Sequence, residues 1–154
     1  MTSEKFELVL SIGGAAGQGI ATPGNILARI FVRRGLHLYA YNAYQSIIRG
    51  GHIFLTVRVS DQEVHSHGDK LDLLLCLNQD TMNRHLGLMG EGSRVVFNSD
   101  TIQPGQAQKG AHLCPLPVIE LSGGGKMVQN TVALGAILSL LGLDFQVLED
   151  ALTL

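Results

Sequence analysis

The segment Gly13-Gly14-Ala15-Ala16-Gly17-Gln18-Gly19 follows directly on the apolar run Leu8-Val9-Leu10-Ser11-Ile12. A buried strand thus empties into a loop with almost no side chains, and the pattern predicts a helix from about Ile20 to Arg34. Backbone N–H groups and a helix N-terminus can meet an anion there without steric hindrance. The spacing fits neither common nucleotide motif. No register gives G-x-G-x-x-G, and Ile20-Ala21 stand where the P-loop that Gly14 and Gly19 would frame needs Lys-Ser/Thr. An ordinary dinucleotide domain or P-loop enzyme is therefore disfavoured.

Strand and helix signals alternate along the rest of the chain. Phe6–Ile12 reads as the first strand. The helix after the loop carries Ile26, Leu27, Ile30 and Phe31 on one face and stops at Gly35 after Arg33 and Arg34. Pro23 is compatible with it, because first-turn N–H groups have no intrahelical partner to lose. Leu36–Tyr41, Ile53–Val59, Leu71–Leu77 and Arg94–Asn98 read as strands, with a helix over Gln79–Leu88. Glu63–His67 reads as a hairpin partner returning after the Ser60-Asp61-Gln62 turn. Leu113–Leu121 is expected to be extended, held by Pro115 and Pro117. A helix over Lys126–Leu141 and a short one from Asp144 close the chain.

No internal repeat or domain boundary interrupts this pattern. The expected fold is α/β: one three-layer domain over residues 1–154, with helices packed on a mostly parallel sheet and one antiparallel hairpin. The sequence ends at Leu154 inside an apolar helical pattern, which reads as a C-terminus cut within a helix.

Three groups of residues carry candidate chemistry. In the first loop, Gly14, Gly17 and Gly19 offer backbone N–H groups and Gln18 an amide. The loop reads either as a plain strand-to-helix turn or as a phosphate site. Arg49-Gly50-Gly51-His52 is the second group, preceded by Tyr39, Tyr41 and Tyr44, all the tyrosines of the chain. Arg49 suits a carboxylate or phosphate, or simply a surface turn. His52 could serve as an acid or base near neutral pH, although no partner is visible. The third group is Gly123-Gly124-Gly125-Lys126, where Lys126 and Asn130 lie one helical turn apart and suit a second anion pocket. Its plain alternative is a connector with a solvated lysine. The apolar helix behind it is expected to be buried in this domain or against a partner. His65 and His67 read as surface histidines.

Composition narrows the function classes. A net charge of −2 over 154 residues argues against a nucleic-acid partner. The longest apolar stretch, Val132–Leu143, is too short for a membrane span, and Met1–Lys5 lacks a signal-peptide start. Cytoplasmic residence is the expectation. Cys76, inside Leu73–Leu77, reads as an inert core thiol, and two isolated cysteines cannot ligate an iron–sulfur cluster. No metal site is expected.

Gly14-Ala15-Ala16-Gly17-Gln18-Gly19, Ile47-Ile48-Arg49-Gly50-Gly51-His52 and Lys126–Gly135 occur in an order and spacing that resembles one family. It is the gamma-type domain of 2-oxoacid:ferredoxin (acceptor) oxidoreductases, in the form that opens a longer alpha subunit. The likeness covers nearly the whole chain. It implies part of a hetero-oligomeric enzyme that converts a 2-oxoacid to an acyl-CoA. Coenzyme A would be the co-substrate at Gly14, Gly17, Gln18, Gly19, Arg49, Gly50, Gly51, Lys126 and Asn130. Thiamine diphosphate, magnesium and iron–sulfur clusters would sit in partner subunits or domains, with a ferredoxin-type acceptor. This chain has no thiamine-diphosphate motif, since Gly68-Asp69-Lys70 is not a G-D-G start. Two other classes use the same residues. A nucleotide-binding regulatory module would hold a free mononucleotide in the loop, and a non-catalytic interaction domain would need the glycines only for packing.

Overall fold

The apolar run beginning at Leu8 forms a central strand, β1 (Glu7–Ala15), buried from Val9 to Gly14. The computed structural model describes residues 5–44, 51–105 and 110–153. Helix α1 (Ala21–Arg33) follows the glycine loop and buries Leu27, Ile30 and Phe31 against the sheet. Gly35, at φ 77°, then turns the chain out of the helix. Strands β2 (His37–Tyr44) and β3 (His52–Ser60) form an antiparallel pair. Next come β4 (Leu71–Cys76) and α2 (Gln79–His85), the latter continued by a 3₁₀ turn over Leu86–Leu88. Strands β5 (Met89–Asn98) and β6 (His112–Leu116) precede α3 (Val118–Leu121), α4 (Lys126–Leu140) and α5 (Phe145–Leu152).

The six strands lie in the order β2-β3-β1-β4-β5-β6. Pairings β1–β4, β4–β5 and β5–β6 are parallel, whereas β3 runs antiparallel to both of its neighbours. Alternate residues of the central strands feed two cores. Leu10, Ile12, Leu73 and Leu75 pack beneath α1, α4 and α5, while Leu74, Cys76, Val95 and Phe97 pack with Met82 and Leu86 on the other face. A strand covered on both faces needs apolar residues at every position, which explains the unbroken Leu73-Leu74-Leu75-Cys76 run. The expected three-layer α/β architecture is what forms. Burial pushes the Cys76 thiol up to about 12, so it is protonated at neutral pH.

Three local expectations are corrected. Glu63–His67 is not a strand. Both edges of β3 are already taken by β1 and β2, so the antiparallel hairpin is β2–β3. The 63–67 segment instead lies where the Arg58 guanidinium donates to Ser66 Oγ at 2.9 Å and the Tyr41 ring stacks on His67 at 5.1 Å. Leu113–Leu121 is extended only to Leu116. Beyond Pro117 the chain turns into α3, whose Ile119 N–H donates to Asp100 Oδ2 at 2.8 Å. Finally, two strands outrun their apolar segments: β1 continues through Gly13 and Gly14 to Ala15, which pairs with His52, and β5 begins at Met89, paired with Leu71, five residues before the expected Arg94.

Candidate functional site

The glycine loop stands at the carboxyl ends of the parallel strands and is tied down from several sides. Gln18 folds back over it: its Oε1 accepts the Ala15 N–H at 2.6 Å and its Nε2 donates to the Leu77 carbonyl at 3.2 Å. Gly14 is where that amide lies, because a Cβ there would sit 2.5 Å from Gln18 Oε1. Gly17 (φ 89°) and Gly19 (φ 73°) adopt the left-handed conformation that disfavours residues with a Cβ. Gln18 thus braces the loop with the amide that the sequence suggested for a ligand. Among the described residues, no hydrogen bond within the protein uses the Gly17 or Gly19 N–H.

Lys126 and Asn130 do not build a separate pocket. Helix α4 brings them to the same cavity as the loop, where Asn130 Nδ2 donates to the Gln18 carbonyl at 2.9 Å and reaches the Gly19 carbonyl at 3.4 Å. The cavity has a volume of about 680 Å³ and is lined by residues 16–19, by Thr22, Pro23 and Ile26 of α1, by Leu77 and Asn98 beyond β4 and at the end of β5, and by residues of α3 and α4. That size suits a cofactor-sized ligand. Among the described residues, Lys126 is the one charged member of the lining, and no carboxylate belongs to it. Helices α1 and α4 both point their N-termini at this space without a side-chain cap or an acidic residue in the first turn. By contrast, Asn78 caps α2 and Asp144 caps α5. Two uncapped N-termini and an ammonium give the cavity a positive potential.

Of the second motif, Arg49 and Gly50 lie outside the described residues. Gly51 meets the first loop directly, its carbonyl accepting the Ala16 N–H at 3.2 Å. His52 has a partner that sequence did not reveal: its Nε2 lies 2.8 Å from His85 Nε2, with both rings buried. Its Nδ1 faces the Asp80 carboxylate at 3.7 Å. Burial holds both imidazoles below the ordinary histidine range. Among the described residues, no group of three or more His, Cys, Asp or Glu is arranged to hold a metal ion. None of their helices is long and apolar enough to cross a membrane.

A cavity at the strand ends, walled by a glycine loop and two helix N-termini, now stands beside what is known of related chains. Residues 9–154 match the pyruvate ferredoxin/flavodoxin oxidoreductase family. The chain belongs to that family. Ketoisovalerate oxidoreductase subunit VorA of Methanothermobacter thermautotrophicus is 30% identical over 149 residues, covering 95% of this chain and 31% of VorA. The keto/oxoacid ferredoxin oxidoreductase gamma subunit of Geobacter sulfurreducens superposes with a TM-score of 0.75 at 26% identity, over 94% of this chain and 84% of that one. A 2-oxoglutarate:ferredoxin oxidoreductase of Magnetococcus marinus, solved with 2-oxoglutarate, coenzyme A and succinyl-CoA bound, superposes at 0.86 and 24% identity, covering 96% of this chain and 26% of that one. The gamma-type likeness carried by the three motifs agrees with all of these. The chain spans only about a third of VorA's length.

Sequence reasoning missed part of this oxidoreductase-family cavity. Asn98, Thr101 and Ile119 line it with no motif to announce them. His85 carried one local signal. It follows Thr81 and Met82 at helical spacing on the buried face of α2, an unusual place for a histidine.

Proposed function

We propose that this domain binds coenzyme A in the cavity between the glycine loop and α4, as part of a multi-subunit 2-oxoacid:acceptor oxidoreductase that forms an acyl-CoA. The observation that carries this reading is the meeting of Gly17, Gly19, Lys126 and two uncapped helix N-termini on one cavity, with no carboxylate in its lining among the described residues. Phosphates are the natural occupants of such a potential. The apolar wall of Pro23, Ile26, Ile119 and Leu134 suits the less polar portions of the same ligand. Family membership and the coenzyme A bound to the Magnetococcus enzyme support the choice of ligand. Gly14 and Gln18 shape the loop, Asn130 anchors it to α4, and Arg49, Gly50 and Gly51 complete the set of coenzyme A-binding residues in this reading. Thiamine diphosphate with magnesium, iron–sulfur clusters and a ferredoxin-type acceptor belong to partner subunits or domains in this reading. Thiamine there supplies the electron sink for decarboxylating the 2-oxoacid. We place the assembly in the cytoplasm.

Calorimetric titration of the chain with coenzyme A tests the site. Lys126→Ala should weaken binding about fivefold, the loss of roughly 1 kcal/mol from an exposed charge contact. Gly17→Val should weaken it more, since φ 89° tolerates no β-branched side chain. No binding by the unsubstituted chain, or equal binding by a folded Gly17→Val, would refute the assignment. Markedly tighter binding of ADP than of coenzyme A would favour a nucleotide-binding regulatory module instead.

A further inference from the structure

The hydrogen-bonded His52–His85 pair lies on the opposite face of the sheet from the cavity and has no part in the site described above. A bond between two Nε2 atoms requires opposite tautomers in a neutral pair. The Asp80 carboxylate 3.7 Å from His52 Nδ1 favours the proton there, which makes His85 the donor to His52. Arg84 also approaches, but it is held by Asp80 through an Nε–Oδ2 contact of 2.8 Å. The edge of the Phe54 ring closes on His85 at a centroid distance of 4.9 Å, packing the pair against β3.

His52 is the first residue of β3 and is paired with Ala15 at the end of β1. Its chain neighbour Gly51 accepts the Ala16 N–H, and Ala16 lines the cavity. A continuous path therefore runs from α2 through His85, His52, Gly51 and Ala16 to the glycine loop. We propose that His85 is a positioning residue: by holding His52 it fixes the start of β3, and with it the Gly51 carbonyl that keeps the glycine loop in place at the cavity. The link to ligand binding rests on the coenzyme A reading, but the link to the loop does not.

Amide hydrogen exchange of the chain measures the loop directly. In His85→Phe, which fills the space without donating, the Ala16 N–H should exchange about tenfold faster while Leu74 in the sheet centre keeps its protection. His85→Gln, whose Nε2 reaches as far as the histidine's, should restore most of the protection. If His85→Phe does not fold, His85→Asn against His85→Gln gives the same contrast, because the shorter amide cannot reach His52. Coenzyme A titrated into His85→Phe should bind about fivefold more weakly. Exchange at Ala16 that rises only in step with Leu74 overturns the proposal, as does unchanged affinity in a variant whose parent binds coenzyme A. Failure of the parent to bind coenzyme A sinks the ligand reading alone, and the exchange comparison still decides the role of His85.

Discussion

Gly19 carries two separate constraints, and each has its own cost. Its φ of 73° disfavours any Cβ, and a Cβ placed there would lie 2.8 Å from Asn130 Nδ2, the atom that ties α4 to the loop. Gly19→Ala should therefore lower stability by about 1–2 kcal/mol, read as the shift in urea midpoint, and should weaken coenzyme A binding with it. The histidine pair sets a pH dependence whose sign follows from burial. Above about 6.5, the ordinary histidine value, both folded and unfolded chains carry neutral rings. As pH falls below that, the unfolded chain takes up protons that the buried His52 and His85 resist, so folding stability drops and then levels once the folded pair titrates. Denaturation midpoints should fall between pH 7.5 and 5.5, and less steeply in His85→Phe. A flat profile for the unsubstituted chain would contradict the burial argument.

At the scale of elements, the helices divide by how their N-termini are satisfied. In α2, Asn78 Oδ1 accepts from the Thr81 N–H at 2.9 Å and the Thr81 hydroxyl at 2.7 Å. In α5, Asp144 accepts from the Gln146 N–H. Helices α1 and α4 forgo such caps where they face the cavity, giving up about 1 kcal/mol each. A ligand anion can replace the missing acceptor. Inside α4, Gly135 has helical backbone and nothing within 4 Å of where a Cβ would lie. Gly135→Ala should raise stability by about 0.5–1 kcal/mol through helix propensity, measured by thermal or urea unfolding. A loss of stability would mean that the helix packs more tightly there than the structure has it.

At the scale of the molecule, the cavity lies open beside an apolar lip, with Met127 90% and Leu121 56% exposed. In the proposed enzyme, chemistry on the 2-oxoacid depends on thiamine and electron carriers held elsewhere. The isolated chain should give no acyl-CoA from any 2-oxoacid, and adding thiamine-binding and cluster-bearing partners should restore turnover and a co-eluting complex in size-exclusion chromatography. A chain that eluted alone beside a fully active remainder would refute the subunit reading.

Local periodicity was enough to place α1, β4 and α4 almost to the residue, because each carries its own pattern of burial, whereas β1 and β5 extend beyond their apolar runs where neighbouring strands pair with them. Leu27, Ile30 and Phe31 repeat at helical spacing, and Leu73–Cys76 form an unbroken apolar run. The glycine loop was legible for the same reason, since strand, glycines and helix start are contiguous. What the sequence left open was pairing between distant segments. Whether β3 takes β2 or residues 63–67 as its hairpin partner depends on which edge of the sheet is free. Whether Lys126 serves its own pocket or the first loop depends on how α4 packs over α1 and β1. The bond between His52 and His85 joins positions 33 residues apart on opposite sides of β4 in the chain. Local propensity is silent on such contacts, because close packing of the two cores chooses which faces meet. The sequence by itself determined most of the elements and the glycine loop between β1 and α1; the tertiary structure alone merged two motifs into one cavity and set a histidine pair behind it.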